Sequence, residues 1–381
     1  MADKKILFDG RFLSLSHAGI GRYSCELLKK LLPLDIDQKY ILIILPRTKF
    51  EKELARALSE RNNPVEIIEI DAKHYSAAEQ FKMPKLLYEL KPDLVHYPHF
   101  NHPIFYKGPF VVTIHDLTLS QYAERGSFLM RTAYNFVIKH AAQNSLKILT
   151  VSEFVRKELI REFDLEQNKV VTTHNGIDAK FKKITNPRTL KKVEKYGLTK
   201  PYILSVGQWR SHKNLLRLTE AFSQIIKDPK FKDKLDLVFA GRVDPKFPYL
   251  QQKIESLNIQ KSVKFTGFIE DDDLPIVYNN AQLFAFPSLS EGFGLPALEA
   301  QACGVAVVSS NKTCLPEVCG QGAYYFNPES VKDMTAKIYR TLTDQKFKRD
   351  LILKGEENAK NFTWEKTAQK TLEVYRGIVY K

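Results

Sequence analysis

The sequence predicts an α/β protein of two Rossmann-like domains, on three observations. The chain has 381 residues, room for two domains of ~150–200 residues with separate cores. Short apolar runs alternate with helical stretches, which implies parallel sheets covered by helices on both faces. The alternation then restarts after a basic segment running from Lys180 to Lys200.

In the first half, Lys5–Phe8 reads as a buried strand because Ile6-Leu-Phe is a short apolar run. Gly19–Leu32 reads as a helix opened by glycines and stopped near Pro33. Tyr40–Leu45 and Pro64–Ile70 are strands, and Ala77–Leu90 is helical. Strands Leu94–Tyr97 and Phe110–Ile114 follow, then a helix over Phe128–Asn144. Strand Ile148–Val151 leads into Ser152, an N-cap for the helix Glu153–Phe163. Val170–Thr173 closes the half, and Asn175-Gly176 signals a turn.

The second half repeats the rhythm. Strands are expected at Tyr202–Val206, Leu235–Ala240, Lys264–Thr266, Leu283–Phe286 and Val305–Ser309. Helices are expected at Asn214–Ile226, Ala297–Ala302 and Ser330–Asp344, and a last helix, Trp364–Tyr380, has no strand after it. The expected domains are 1–178 together with the returning helix 364–381, and 179–363.

Composition removes several classes. With 44% hydrophobic and 27% charged residues, the chain is neither disordered nor collagen-like. Its four cysteines, Cys25, Cys303, Cys314 and Cys319, have no zinc-type spacing and read as reduced thiols. The opening Met1-Ala-Asp-Lys-Lys is too soon polar for a signal peptide, and no run reaches the ~18 apolar residues of a membrane span. Net charge is +14, of which residues 1–178 carry only +3. Lys180–Lys200 holds eight basic residues against Glu194 alone. That segment suits either an anionic partner or a solvated linker. No aromatic–basic RNA motif or zinc finger accompanies the charge, so nucleic acid is not an expected partner.

The most informative stretch is Ser288-Leu-Ser-Glu291-Gly292-Phe293-Gly294-Leu295-Pro296-Ala-Leu-Glu299. A strand ends there in a Gly-rich turn that opens a helix near Pro296, a favourable first-turn residue. Backbone N–H groups and the positive helix end make an anion or polar-ligand site at the carboxyl edge of a sheet. Glu291 and Glu299 can each bind hydroxyls, at the two ends of one ligand such as a sugar nucleotide. Lys213 sits where a helix starts after a strand, placed to pair with a diphosphate. Gly19-Ile-Gly21-Arg22 lets backbone approach a ligand at the first helix.

This stretch resembles the E-x7-E signature of retaining, family 4 glycosyltransferases with the GT-B fold, two Rossmann-like domains facing across a cleft. Val307-Val-Ser-Ser with Leu315-Pro-Glu317, His174-Asn-Gly-Ile-Asp178, Val206-Gly207 with Lys213-Asn214, Phe265-Thr-Gly267-Phe268 and Phe362-Thr-Trp364 resemble the family too. Asp9 and Gly19-Ile-Gly21-Arg22-Tyr23 resemble bacterial cell-surface polysaccharide transferases, many of them mannosyltransferases.

The resemblance implies a nucleotide-sugar donor, GDP-mannose on the subfamily likeness, and a glycan or lipid-linked acceptor. Glu291, His115 and Lys213 are then the catalytic residues. Glu291 holds sugar hydroxyls, Glu299 the ribose, and Lys213 with Arg210 the phosphates. Gly19, Gly21, Gly292, Phe293, Gly294 and Leu295 approach the donor, and main chain at Phe268 meets the base. The family's Arg after the glycine is Gln208 here, so Arg210 or His212 supplies the second cation. His96, His99 and His102 read as acceptor-side loop residues, and Glu317 as a cap. Asp271-Asp-Asp273 is contiguous rather than a D-x-D pair, so no cofactor and no metal are expected.

A sugar-nucleotide epimerase, a phosphorylase and a non-catalytic nucleotide-sugar binder are the alternatives. A cytoplasmic location is expected, peripheral on the inner face of the membrane through weak anionic contact. For that contact the helix Phe128–Asn144 offers Phe128, Leu129, Phe136 and Val137 beside Arg131, Lys139 and His140.

Overall fold

A computed structural model describes residues 4–13, 19–117, 128–241 and 248–380. The chain forms two compact units, one of Met1–Gly176 with Thr363–Lys381 and one of Ile177–Phe362.

The first unit holds β1 (Lys5–Asp9), α1 (Ile20–Leu34), β2 (Lys39–Ile44), α2 (Lys52–Ser59), β3 (Glu66–Glu69), α3 (Ala77–Leu90) and β4 (Leu94–Tyr97). After these come β5 (Phe110–Ile114), α4 (Phe128–Asn144), β6 (Lys147–Thr150), α5 (Glu153–Phe163) and β7 (Val170–Thr172). The described strands make one seven-stranded sheet in the order β3-β2-β1-β4-β5-β6-β7, each pairing parallel. Alternate residues of a strand point to opposite faces. Leu7, Ile41, Val95 and Val112 therefore enter one core, and Ile6, Phe8, Leu42 and Leu94 the other.

That second core is completed by the C-terminal helix, Trp364–Val379. Its Trp364, Ala368, Leu372 and Tyr375 recur at helical spacing and pack with Tyr23, Leu27 and Leu31 of α1. The chain passages beside it run close together. The Ile177 N–H donates to the Phe362 carbonyl at 3.0 Å, and Thr367 Oγ1 donates to the His174 carbonyl at 2.6 Å. A Cβ on Gly176 would stand 2.1 Å from the Trp364 nitrogen. The Asn175-Gly176 signal is thus corrected: it marks a close backbone approach, with no turn assigned there.

The second unit holds α6 (Pro187–Leu190), β8 (Tyr202–Val206), α7 (Leu215–Ile225), β9 (Asp236–Ala240), α8 (Tyr249–Ser256), β10 (Val263–Gly267), α9 (Leu274–Asn279) and β11 (Leu283–Phe286). Then follow α10 (Leu295–Ala302), β12 (Val307–Ser310), α11 (Leu315–Cys319), β13 (Ala323–Phe326), α12 (Val331–Thr343) and α13 (Gln345–Ala359). Its six described strands run parallel in the order β10-β9-β8-β11-β12-β13.

Three further expectations are corrected. α1 runs through Pro33, which lies in its last turn, and Asp35 N–H closes that turn on the Leu31 carbonyl at 3.1 Å. The basic segment is not a bare linker: it forms α6 and a 3-10 stretch, Lys191–Tyr196, tied to Asp273 by Lys195 and by the Tyr196 hydroxyl. His96 lies in β4, not in a loop, and is fully buried. Its ring nitrogens bond to the Tyr375 hydroxyl and, at 2.8 Å, to Thr113 Oγ1. His99 and His102 are buried as well, and His102 Nε2 meets His140 Nδ1 at 2.9 Å. His99 and His102 do lie on the loop after β4, with their rings buried, and burial pushes His96 down to about 3 and His102 to about 4. Phe128, Leu129 and Arg131, which the sequence offered for membrane contact, lie outside the residues whose side chains are described.

Candidate active site

In the second sheet β8 and β11 are neighbours, and the chain leaves them toward opposite edges. Such a reversal opens a crevice outside the carboxyl ends of the strands. Two loops meet there. The first follows β8 through Gly207, which has φ 148°, and reaches Asn214 at the N-cap of α7. Asn214 is left-handed with φ 57°, and its Nδ2 donates to the Pro287 and Pro328 carbonyls at 3.0 and 2.7 Å. The second loop follows β11, and Leu289 N–H donates to the His212 carbonyl at 2.7 Å. The loops therefore hold each other by main-chain and amide bonds.

Glu291 sits on the second loop. Its N–H donates to Thr313 Oγ1 at 3.3 Å, and the Cys314 thiol donates to its carbonyl at 3.2 Å. Gly294, with φ 97°, caps α10, and a Cβ there would stand 2.7 Å from Leu315 Cδ2. Glycine is thus required twice over, by backbone conformation and by space. Pro296 lies in the first turn of α10. Lys213 ends the 3-10 turn Ser211–Lys213, and its Nζ is 2.6 Å from Glu291 Oε1, with the two side chains 20% and 13% exposed. A cation and a carboxylate expected to serve different parts of one ligand are therefore direct partners.

Between the loops lies a small hollow lined by Gly207, Trp209, Lys213, Phe286 and Ser288. Trp209 Nε1 and Ser288 Oγ are buried with no hydrogen-bond partner among the described residues. Buried polar groups without partners are uncommon and suit a site that a polar ligand completes. Sequence reasoning missed both; the signal was a lone Trp two residues after a strand-ending glycine.

The remaining expected residues are placed as follows. Glu299 is in α10, 4% exposed, and its Oε2 accepts from the Tyr278 hydroxyl at 3.0 Å. Arg210 and Gln208 are exposed on the β8 loop, and Phe268, after Gly267 with φ 68°, is 60% exposed. Gly292, Phe293 and Leu295 flank Glu291 and Gly294 on the same turn.

Gly19, Gly21 and His115 belong to the first unit. Gly19 caps α1 with φ 82°, and Gly21 is buried in its first turn. His115 follows β5; its Nε2–H donates to the Pro98 carbonyl at 2.8 Å, and Tyr23 stands edge-on at 4.7 Å. Burial pushes its pKa down, so the ring is neutral near pH 7.

The first unit also has a buried ionic knot at the carboxyl end of β1. Arg11 donates to Asp9 through Nε and Nη2 at 2.8 and 2.7 Å, to Glu79 Oε1 at 2.7 Å and to the Ala72 carbonyl at 2.8 Å. Burial opposes charging of Asp9, but Arg11 outweighs it and the Asp9 pKa is lowered. No group of three His, Cys, Asp or Glu able to hold a metal ion occurs among the described residues. Asp273 is already engaged by Lys195 and Tyr196.

Two glycosyltransferase families match this chain in sequence. Glycosyltransferase Family 4 matches residues 18–181, and Glycosyl transferases group 1 matches residues 187–358. The chain is a glycosyltransferase, with a Glycosyltransferase Family 4 domain followed by a Glycosyl transferases group 1 domain. Among similar proteins, the O-antigen chain mannosyltransferase B of Escherichia coli is 29% identical over 98% of this chain and 99% of its own. The serotype-specific mannosyltransferase WbdA of the same organism is 34% identical over 61% of this chain, which corresponds to 29% of that longer protein. The solved structure of Anabaena HepE in complex with UDP and glucose superposes with a TM-score of 0.75 and 17% identity, covering 98% of this chain and all of that one. This likeness identifies the fold as GT-B. In this glycosyltransferase, the loops after β8 and β11 bring Lys213 and Glu291 into contact.

Proposed function

We propose that this glycosyltransferase moves mannose from GDP-mannose to a glycan or lipid-linked acceptor in surface polysaccharide synthesis, with retention at the anomeric carbon. The observation that carries the reading is the Lys213–Glu291 pair, 2.6 Å apart at the strand-order reversal of the second sheet. It sets a cation for a diphosphate beside an acceptor of sugar hydroxyl protons, in a hollow that also holds the unpartnered Trp209 and Ser288 groups. Mannose as the sugar rests on the full-length likeness to the E. coli O-antigen mannosyltransferase.

In this reading the second unit binds the donor and the first unit the acceptor. Lys213, helped by Arg210 and by N–H groups at the start of α10, stabilises the departing diphosphate. Glu291 orients the sugar and Glu299 the ribose; Phe268 main chain meets the base. His115, Gly19 and Gly21 are assigned to the donor sugar and phosphates on the family pattern. The acceptor oxygen attacks the face that the diphosphate leaves. The anomeric C–O bond to phosphate breaks, and the acceptor proton passes to a phosphate oxygen. Lys213 takes the place of a metal ion: in the pair Asp35-Ile-Asp37, Asp35 is buried and accepts from the Tyr40 hydroxyl, and Asp273 is held by Lys195 and Tyr196. The protein's share of catalysis is then positioning and charge stabilisation.

A panel of nucleotide sugars tests the reading. GDP-mannose should raise the melting temperature more than UDP- or ADP-sugars, and the product should carry an α-mannosyl bond. Stabilisation by a UDP-sugar alone would replace the donor, and an inverted product would remove the mechanism.

A further inference from the structure

Among the described non-glycine residues with left-handed backbone, Thr313, at φ 56°, is the one that branches at Cβ. A branched Cβ crowds the neighbouring carbonyl in that region, so such a residue persists only where its surroundings hold it. Asn214, on another loop of the same site, takes the region at φ 57° with less strain, because asparagine tolerates it. Glycine at 313 would remove the strain altogether. Threonine stands there instead, and its hydroxyl has a partner: Thr313 Oγ1 accepts the Glu291 N–H at 3.3 Å.

The next residue completes a clamp. Cys314 is fully buried, and its Sγ lies 3.2 Å from the Glu291 carbonyl and 3.1 Å from the Phe293 carbonyl. Its one proton is shared between those two acceptors. Burial first, and the Glu291 carboxylate second, push the thiol pKa up, so the group remains a donor. The segment carrying the pair is itself anchored. Asn311 N–H donates to the Phe326 carbonyl at 3.0 Å, and Val318 N–H to the Cys314 carbonyl at 2.9 Å. Side chains from the loop after β12 thus hold both main-chain groups of Glu291, while Lys213 from the loop after β8 holds its carboxylate. β8 and β12 flank β11 in the sheet, so Glu291 is gripped from both sides of its own strand.

We propose that Thr313 and Cys314 are positioning residues for transfer, holding the Glu291 main chain so that its carboxylate meets the donor in one orientation; this rests on the reading of Glu291 as the sugar contact. The left-handed backbone at 313 belongs to the device. The chain gives up a relaxed glycine there for a hydroxyl set on one N–H group. A loosened Glu291 would still let the nucleotide bind, and its loss would be felt in the transition state.

The free chain is tested first, by amide hydrogen exchange over residues 288–294. Exchange there should quicken in Thr313→Gly and in Cys314→Ala, and stay near wild type in Thr313→Ser, which keeps the hydroxyl. Turnover is then measured with the nucleotide sugar that raises the melting temperature most. Thr313→Gly should lower kcat about tenfold at unchanged KM. Its melting temperature should stay close to wild type, since relief of the left-handed strain offsets the lost bond and the freer unfolded chain. Thr313→Ser should restore kcat. In a Glu291→Ala background, Thr313→Gly should add no further loss, because it acts through that residue. Wild-type exchange in both Thr313→Gly and Cys314→Ala, an unchanged kcat, a kcat loss that Thr313→Ser does not restore, or additive losses in the double variant would overturn the proposal and leave the Glu291 reading standing. Full turnover in Glu291→Ala alone would overturn that reading, and the proposal with it.

Discussion

Lys213 and Glu291 satisfy each other at 2.6 Å, so a ligand that engages either must replace that bond. A diphosphate drawn to Lys213 frees Glu291 for the sugar, and the two binding events become linked. Glu291→Ala should therefore lower turnover about 10²–10³-fold, the usual loss for one transition-state contact. Affinity for the nucleoside diphosphate alone should hold or rise, because Lys213 is released. Calorimetry with the diphosphate beside turnover with the full donor separates these effects, and unchanged turnover would remove Glu291 from the site. A second expectation follows from Lys213 as the phosphate cation. Turnover should persist in excess EDTA after metal stripping; loss with recovery on Mg²⁺ or Mn²⁺ would reject it. At this scale the sequence was partly legible. Glu291, Gly294 and Pro296 carry their meaning in spacing, since a helix start after a strand needs those residue types. Contact between Lys213 and Glu291, 78 positions apart, is set by the neighbouring of β8 and β11 and has no local signature.

Buried parallel strands read plainly as short apolar runs, and Leu94–Tyr97, Phe110–Ile114, Tyr202–Val206 and Leu283–Phe286 are found where expected. Elements that bury little were missed. α2 buries only Leu54, and α13 buries Leu351, Gly355 and Ala359, two of them too small to mark a face. His96 was misread as a loop residue because a buried strand imidazole and a loop imidazole look alike in sequence. Tyr375 of the C-terminal helix decides the matter for His96 by bonding it inside the core. That burial has a consequence for acid stability. His96 is held near 3 and His102 near 4 in the folded chain, against ~6.5 unfolded. Below pH ~6.5 the unfolded chain binds protons that the folded chain refuses. Stability is then full above pH ~6.5 and falls as pH drops, by about 1.4 kcal/mol per pH unit for each histidine. Denaturant unfolding from pH 7 to 4.5 measures it. His96→Gln should remove about one proton from the uptake on unfolding, whatever it does to stability at pH 7. A flat profile, or an uptake unchanged by His96→Gln, would contradict the burial argument.

The whole molecule joins a continuous unit, Ile177–Phe362, to a discontinuous one. The second unit has its own sheet and core. The first borrows the side chains of Trp364, Leu372 and Tyr375. At about 1.5–3 kcal/mol for each large apolar side chain buried, the loan is of the order of a small domain's net stability. A fragment of residues 1–176 should accordingly melt broadly and at low temperature, and a separate peptide of residues 363–380 should restore a cooperative transition. A fragment that melts like the first unit of the intact chain would show the C-terminal helix to be dispensable.

The same arrangement sets an order of events on the ribosome. The α1 surface bearing Tyr23, Leu27 and Leu31 is made before the second unit, but its covering helix only after it. At ~5–20 residues per second, translation of the intervening unit takes roughly 10–40 s. Through that interval the second unit is free to fold as it appears, while the nascent first unit keeps an apolar face bare to chaperones. Its maturation is a late clasp, made only when the Trp364 helix clears the exit tunnel and swings home.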